Sequence, residues 1–167
     1  LSTGFDVSTA SYDSNFSVLS QLSIAQDIVF NTDGTKMFIV GSGNDGVYEY
    51  TLSTGFDVST ASYDSNFSVA SQEDSPQGLA FNSDGTKMFV TGGGGDDVNE
   101  YTLSTGFDVS TASFVDSFDI SSQDTLPNGL AFNNDGTKMF VSGNYDNDIN
   151  EYTLTTGFDV STASFVG

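Results

Sequence analysis

A six-residue word, DGTKMF, occurs three times, at Asp33–Phe38, Asp84–Phe89 and Asp135–Phe140. Its lysines at 36, 87 and 138 set a period of 51 residues. Asp-Gly between two apolar runs predicts a β-hairpin, because glycine takes a positive φ without a Cβ clash. A hairpin returning at that spacing restricts the chain to repeat architectures in which each unit buries its apolar face against the next. The copies are close. Leu1–Val18 recurs unchanged as Leu52–Val69, and Leu103–Ser113 repeats its first eleven residues, as does Leu154–Ser164 with Thr155 for serine.

Each unit holds four predicted strands. In the middle unit, strand a is Gly78–Asn82 and strand b is Thr86–Thr91, with Met88 and Val90 on one side and Lys87, Phe89 and Thr91 on the other. Gly92–Gly95 reads as a flexible loop. Strand c is Val98–Leu103, with Tyr101 and Leu103 on one face and Val98, Glu100 and Thr102 on the other. A loop follows, pinned by Phe107 and Val109, in which Asp108, Ser110 and Thr111 can bond to nearby backbone. Strand d is Ser62–Val69 or Ser113–Ile120, with Tyr63, Phe67 and Val69 expected on one face. No segment has helical periodicity. The expected fold is all-β: a β-propeller with three four-stranded blades of 51 residues, about 11–61, 62–112 and 113–163, a stub of strand at 164–167, and 1–167 as one domain. Blades bury both faces, so 15 Phe and 7 Tyr on both sides of the pleat supply the apolar area.

Pro76-x-Gly78-Leu79-Ala80-Phe81-x-x-Asp84-Gly85-Thr86-Lys87-x-Phe89-Val90 resembles the repeat of the YVTN/YncE-type propellers, related to NHL and lactonase-like groups. Pro127–Val141 matches it as well, whereas the first unit has Ala25 for the proline and Asp27 for the first glycine. The resemblance implies a propeller and leaves function open, since such rings host enzymes, binders and scaffolds.

A propeller closes with about 4–8 blades, so three leave open edges. The first strand d, Ser11–Leu19, has no strand c before it, and the last strand c, Ile149–Leu154, has almost no strand d after it. The expectation is self-association. Ser11–Leu19 of one molecule completes the last blade of another, giving a six-bladed homodimer, or a filament if the rotation does not close. A chain cut from a longer array accounts for the same ends.

The net charge of −20, with three lysines, no arginine and no histidine, argues against nucleic acid or anionic membrane as partners. No apolar run reaches the ~20 residues of a membrane helix. Charge and repetition favour an extracellular or virion-associated setting. There is no cysteine. Without His or Cys most metal and nucleophile-triad sites are closed, so the chain reads as a non-enzyme.

The candidate residues fall into three sets. Across the b–c hairpin Lys36 lies diagonal to Glu49, Lys87 to Glu100 and Lys138 to Glu151, a structural ion pair in every blade. The b–c loops are where the copies vary, and their Asp45, Asp96, Asp97, Asp146 and Asp148 offer hard oxygens for Ca²⁺, although no EF-hand spacing is present. Gln26, Gln77 and Asn128, one equivalent position before strand a, with Asp27 and Tyr145, are candidates for a glycan or protein ligand at the channel mouth. The reading is a scaffold or binding and adhesion module that assembles by exchanging strand d. The alternatives are a fragment of a propeller hydrolase or lyase, or a designed or reconstructed ring without a native ligand.

Overall fold

The computed structural model describes residues 6–145 and 147–167. Among these residues twelve strands form three antiparallel sheets, each in sequence order. Blade 1 is β1 (Asp27–Phe30), β2 (Lys36–Gly41), β3 (Gly46–Leu52) and β4 (Ala61–Ser68). Blade 2 is β5 (Pro76–Phe81), β6 (Lys87–Gly92), β7 (Asp97–Leu103) and β8 (Ala112–Asp119). Blade 3 is β9 (Pro127–Phe132), β10 (Lys138–Gly143), β11 (Ile149–Leu154) and β12 (Ala163–Phe165). The chain is a partial β-propeller.

Local chemistry sets the hairpins. Gly34, Gly85 and Gly136 have φ of +72°, +71° and +70°. Asp84 Oδ1 accepts the N–H and the hydroxyl of Thr86, at 3.0 and 2.6 Å, closing the turn. The hydrophobic alternation then fixes the register, with Phe89 opposite Glu100 and Thr91 opposite Val98.

Blades stack as the two-sided pattern requires. Phe38, Val40 and Val47 of blade 1 pack on Leu79, Met88, Val90 and Tyr101 of blade 2. Phe89 and Val98 pack in the same way on Met139, Val141 and Tyr152 of blade 3. The first strands of the blades, β1, β5 and β9, touch in turn and line the inner edge. A Cβ on Gly78 would stand 3.0 Å from the Asn128 carbonyl oxygen, so this glycine permits the close approach of β5 and β9.

Strand d departs from the expected face. A β-bulge leaves Asp64 unpaired between Ser65, opposite Glu49, and Tyr63, opposite Tyr50. The extra residue inverts the alternation. Tyr63 therefore packs edge-on against Tyr50 of its own blade, while Phe67 crosses to Tyr101 of the next. The first segment, Ser11–Val18, lies in no strand, yet its Phe16 meets the Tyr50 ring at 5.6 Å as Phe67 meets Tyr101 at 5.5 Å.

A polar latch joins successive blades. Lys36 Nζ pairs with Glu49 and also donates to the Phe107 carbonyl at 2.9 Å, in the loop after β7. The other Glu49 oxygen accepts the Val109 N–H at 2.9 Å. Lys87 and Glu100 hold Phe158 O and Val160 N of blade 3 in the same way, at 2.6 and 3.0 Å. The loop after the third strand is strained in every blade, gripped or not. Phe56, Phe107 and Phe158 sit at φ of +62°, +58° and +59°, each under the glycine of its own Asp-Gly turn. Glu49 and Glu100 are therefore buried, at 1% and 2% side-chain exposure, and are not the exposed members of a surface pair.

Candidate functional site at the loop rim

The residues expected at the channel mouth do not form one ring of free amides. Asp27 replaces the glycine found at 78 and 129, and its carboxylate is engaged. Oδ1 accepts its neighbour's N–H, from Ile28 at 2.8 Å, and Oδ2 accepts the Leu79 N–H of blade 2 at 3.0 Å. Asp27 thus brackets two inner strands. Asn128 is tied within blade 3, donating to Asn144 at 2.8 Å and accepting from the Ser142 hydroxyl at 3.2 Å. Gln77 lies beside Gly93, Gln26 is exposed, and Tyr145 is 67% exposed on the β10–β11 loop.

The acidic loop residues are likewise dispersed. Asp45 and Asp96 take turn positions at φ of +47° and +52°, each with Oδ1 covered and without a partner among the described residues. Asp97 begins β7 and accepts from the Asn99 amide at 2.6 Å. Asp148 is exposed, and Asp146 lies outside the described residues. Among the described residues no three acidic side chains converge as a cation site.

Two carboxylates that sequence reasoning passed over organise this rim. Glu73, in the β4–β5 loop, is fully buried. It accepts the N–H groups of Ser75, Gly94 and Gly95 at 2.7, 2.8 and 3.2 Å. The glycine run is therefore strapped to Glu73 and is not a free loop. A Cβ on Gly94 would stand 2.5 Å from Glu73 Oε1, which is why side chains are absent there. In blade 3 the equivalent acid is Asp124, 1% exposed, which accepts the Leu126 N–H at 2.6 Å and leaves Oδ2 buried without a protein partner. Blade 1 has Leu22 at this position. Acid, acid and leucine at one repeat position was the available signal.

Around blade 2 these acids divide in proton affinity. Burial pushes the Asp97 carboxyl above the ordinary carboxylate range, opposed by the Asn99 amide and reinforced by Glu73. Burial also raises Asp96, with the charges of Asp119 and Asp124 adding to it. Asp119 lies directly across the β7–β8 ladder from Asp97. The Ser121 hydroxyl and N–H hold it below the ordinary value. A carboxyl whose ionised form is favoured thus faces one whose protonated form is favoured, an arrangement able to move protons.

No protein-family model matches the chain, and no curated protein matches it in sequence. Solved structures do match in shape. A protein from Lactobacillus plantarum aligns with a TM-score of 0.63 at 18% identity, over 86% of this chain and 40% of that one. A candidate 6-phosphogluconolactonase from Bacteroides fragilis gives 0.62 at 16% identity over 86% and 40%. The periplasmic gluconolactonase of Pseudomonas aeruginosa gives 0.57 at 15% identity over 86% and 38%. These proteins overturn the expectation of a non-enzyme: those that share the architecture include a gluconolactonase and a luciferin-regenerating enzyme. The likeness establishes the fold, three blades of a β-propeller that span about 40% of the length of these matched chains.

Proposed function

We propose that the chain is the three-blade part of a propeller hydrolase that opens an uncharged sugar lactone or a similar polar ester. The carrying observation is the split carboxylate pair on the rim of blade 2. In this reading Asp119, whose ionised form Ser121 favours, draws a proton from the attacking water, and Asp97, whose burial favours the protonated form, supplies one to the leaving alkoxide. Water is added across the ester C–O bond, giving a hydroxy acid. The net charge of −20 repels phosphorylated substrates and favours neutral ones. The repeat motif around Pro76–Val90 supports placing the chain with the YVTN/YncE-type propellers.

The test is proton release from glucono-δ-lactone at weakly acidic pH, where spontaneous opening is slow. The expected result is a rate above buffer that falls at least about tenfold in Asp119→Asn and declines as pH rises through the titration of Asp97. A rate equal to buffer at every protein concentration, or an Asp119→Asn variant as active as the parent, refutes the assignment.

A further inference from the structure

The latch between blades is closed twice and open once. Lys36–Glu49 and Lys87–Glu100 each grip the loop of the following blade, with glutamate exposures of 1% and 2%. Among the described residues Lys138–Glu151 grips no loop, and its side chains are 45% and 33% exposed. At the other end Phe56 and Val58 are the repeat equivalents of the gripped Phe107 and Val109. Phe56 is 60% exposed, and no lysine or glutamate holds its loop among the described residues.

The apolar faces divide in the same way. Val47 and Val98 are fully buried by the next blade, whereas their equivalent Ile149 is 72% exposed beside an open groove of about 310 Å³ with Leu130 and Phe140. Leu79 is 2% exposed under blade 1, whereas its equivalent Ile28 is 50% exposed in a groove of about 300 Å³ with Ile39. The outer strand is also divided. β3 pairs with β4 along its whole length, including Val47 opposite Phe67, but β12 reaches only Ala163–Phe165. The part of the outer strand without a counterpart in blade 3 among the described residues corresponds by repeat to Asn15–Val18, and Phe16 already stands on Tyr50 as Phe67 stands on Tyr101.

We infer that the back of blade 3 binds the front of blade 1 of a second copy of this chain, through the same contacts that join the blades within one chain. Lys138 Nζ then donates to the Phe56 carbonyl of the second copy, and Glu151 accepts its Val58 N–H. Ile149 packs beside its Phe16, and the outer strand of blade 3 becomes composite: Ala163–Phe165 from one copy, Asn15–Val18 from the other. The occupant is a second copy because each open feature on one end has its complement, residue for residue, on the other. The contact is heterologous, so it either closes on itself with two copies or propagates.

The absence of native cysteine makes a clean test. A Phe16→Cys chain is mixed with an Ile149→Cys chain under mild oxidation, and light scattering measures the parent. The expected results are a disulfide joining one chain of each kind and a mass of at least two 17.6 kDa chains at micromolar concentration. Ile149→Asp, at a site exposed in the single chain, is expected to weaken association at least about tenfold with the circular dichroism unchanged. A monomer at 100 μM in 0.5 M salt, or association without the cross-link and indifferent to Ile149→Asp, overturns the inference.

Discussion

Removing the latch glutamate should cost very different amounts in three blades that share one sequence motif. Glu49 is buried at 1% exposure and serves both Lys36 and the Val109 N–H. Glu49→Ala strands a buried amide donor, which costs about 1–3 kcal/mol. It also breaks a pair whose lysine, 28% exposed and still bonded to Phe107 O, keeps part of its solvation. That places the ionic part below the ~3–5 kcal/mol of a fully buried broken pair. The sum is about 3 kcal/mol, and Glu100→Ala should match it. Glu151, 33% exposed and holding no loop, should cost about 0–1 kcal/mol. With a urea slope of about 1–3 kcal/mol/M, the first two variants lose about 1–3 M in midpoint and the third, at the same slope, no more than about a third of that. Dilute protein is used so that association does not mask the difference, and hydrogen exchange at the Val109 amide reports the same event locally in Glu49→Ala. Equal shifts for all three variants would refute the reasoning, because the motif alone, and not the gripped loop, would then carry the energy.

Other outcomes follow from the same geometry. Burial pushes the Tyr50 and Tyr152 phenols up to about 12 and Tyr101 higher still. Their raised folded-state values mean the unfolded chain ionises first, so stability is full below pH 10 and is lost as pH rises toward 12. A spectroscopic titration should show these tyrosines ionising only as the chain unfolds. The Tyr101 hydroxyl is buried without a protein partner, so Tyr101→Phe should be neutral or stabilising by up to ~1 kcal/mol in thermal denaturation, and a loss above ~2 kcal/mol contradicts this. Gly85→Ala forces a Cβ into the Phe107 ring at φ of +71° and should cost at least about 2 kcal/mol. Asp27→Ala frees the Leu79 N–H, and faster exchange of that amide with a loss of about 1 kcal/mol is expected.

Much of the architecture was legible because it is written in short-range signals. The Asp-Gly turns, the alternation of Met88, Phe89 and Val90, and the pairing of Phe89 with Glu100 all follow from local backbone preference and period-two burial. Tyr63 was misplaced because a single unpaired residue, Asp64, inverts the faces of strand d without leaving a signature in composition. The Gly92–Gly95 loop read as free because its partner Glu73 lies about twenty residues away, in another loop. Of the candidate site residues, Asp27 and Asn128 lie in inter-strand and intra-blade bonds, and the facing of Asp97 and Asp119 became visible only once β7 and β8 stood side by side.

The repeat alone determined that the chain must build identical sheets and stack them, since one period-two ribbon with aromatics on both faces cannot bury itself. Tertiary structure decided what each copy of a motif is worth. Glu49, Glu100 and Glu151 are identical letters in near-identical surroundings, and only the presence of a neighbouring loop makes two of them buried anchors and leaves the third open. Desolvation depends on what stands across the gap, and a linear sequence does not contain that distance.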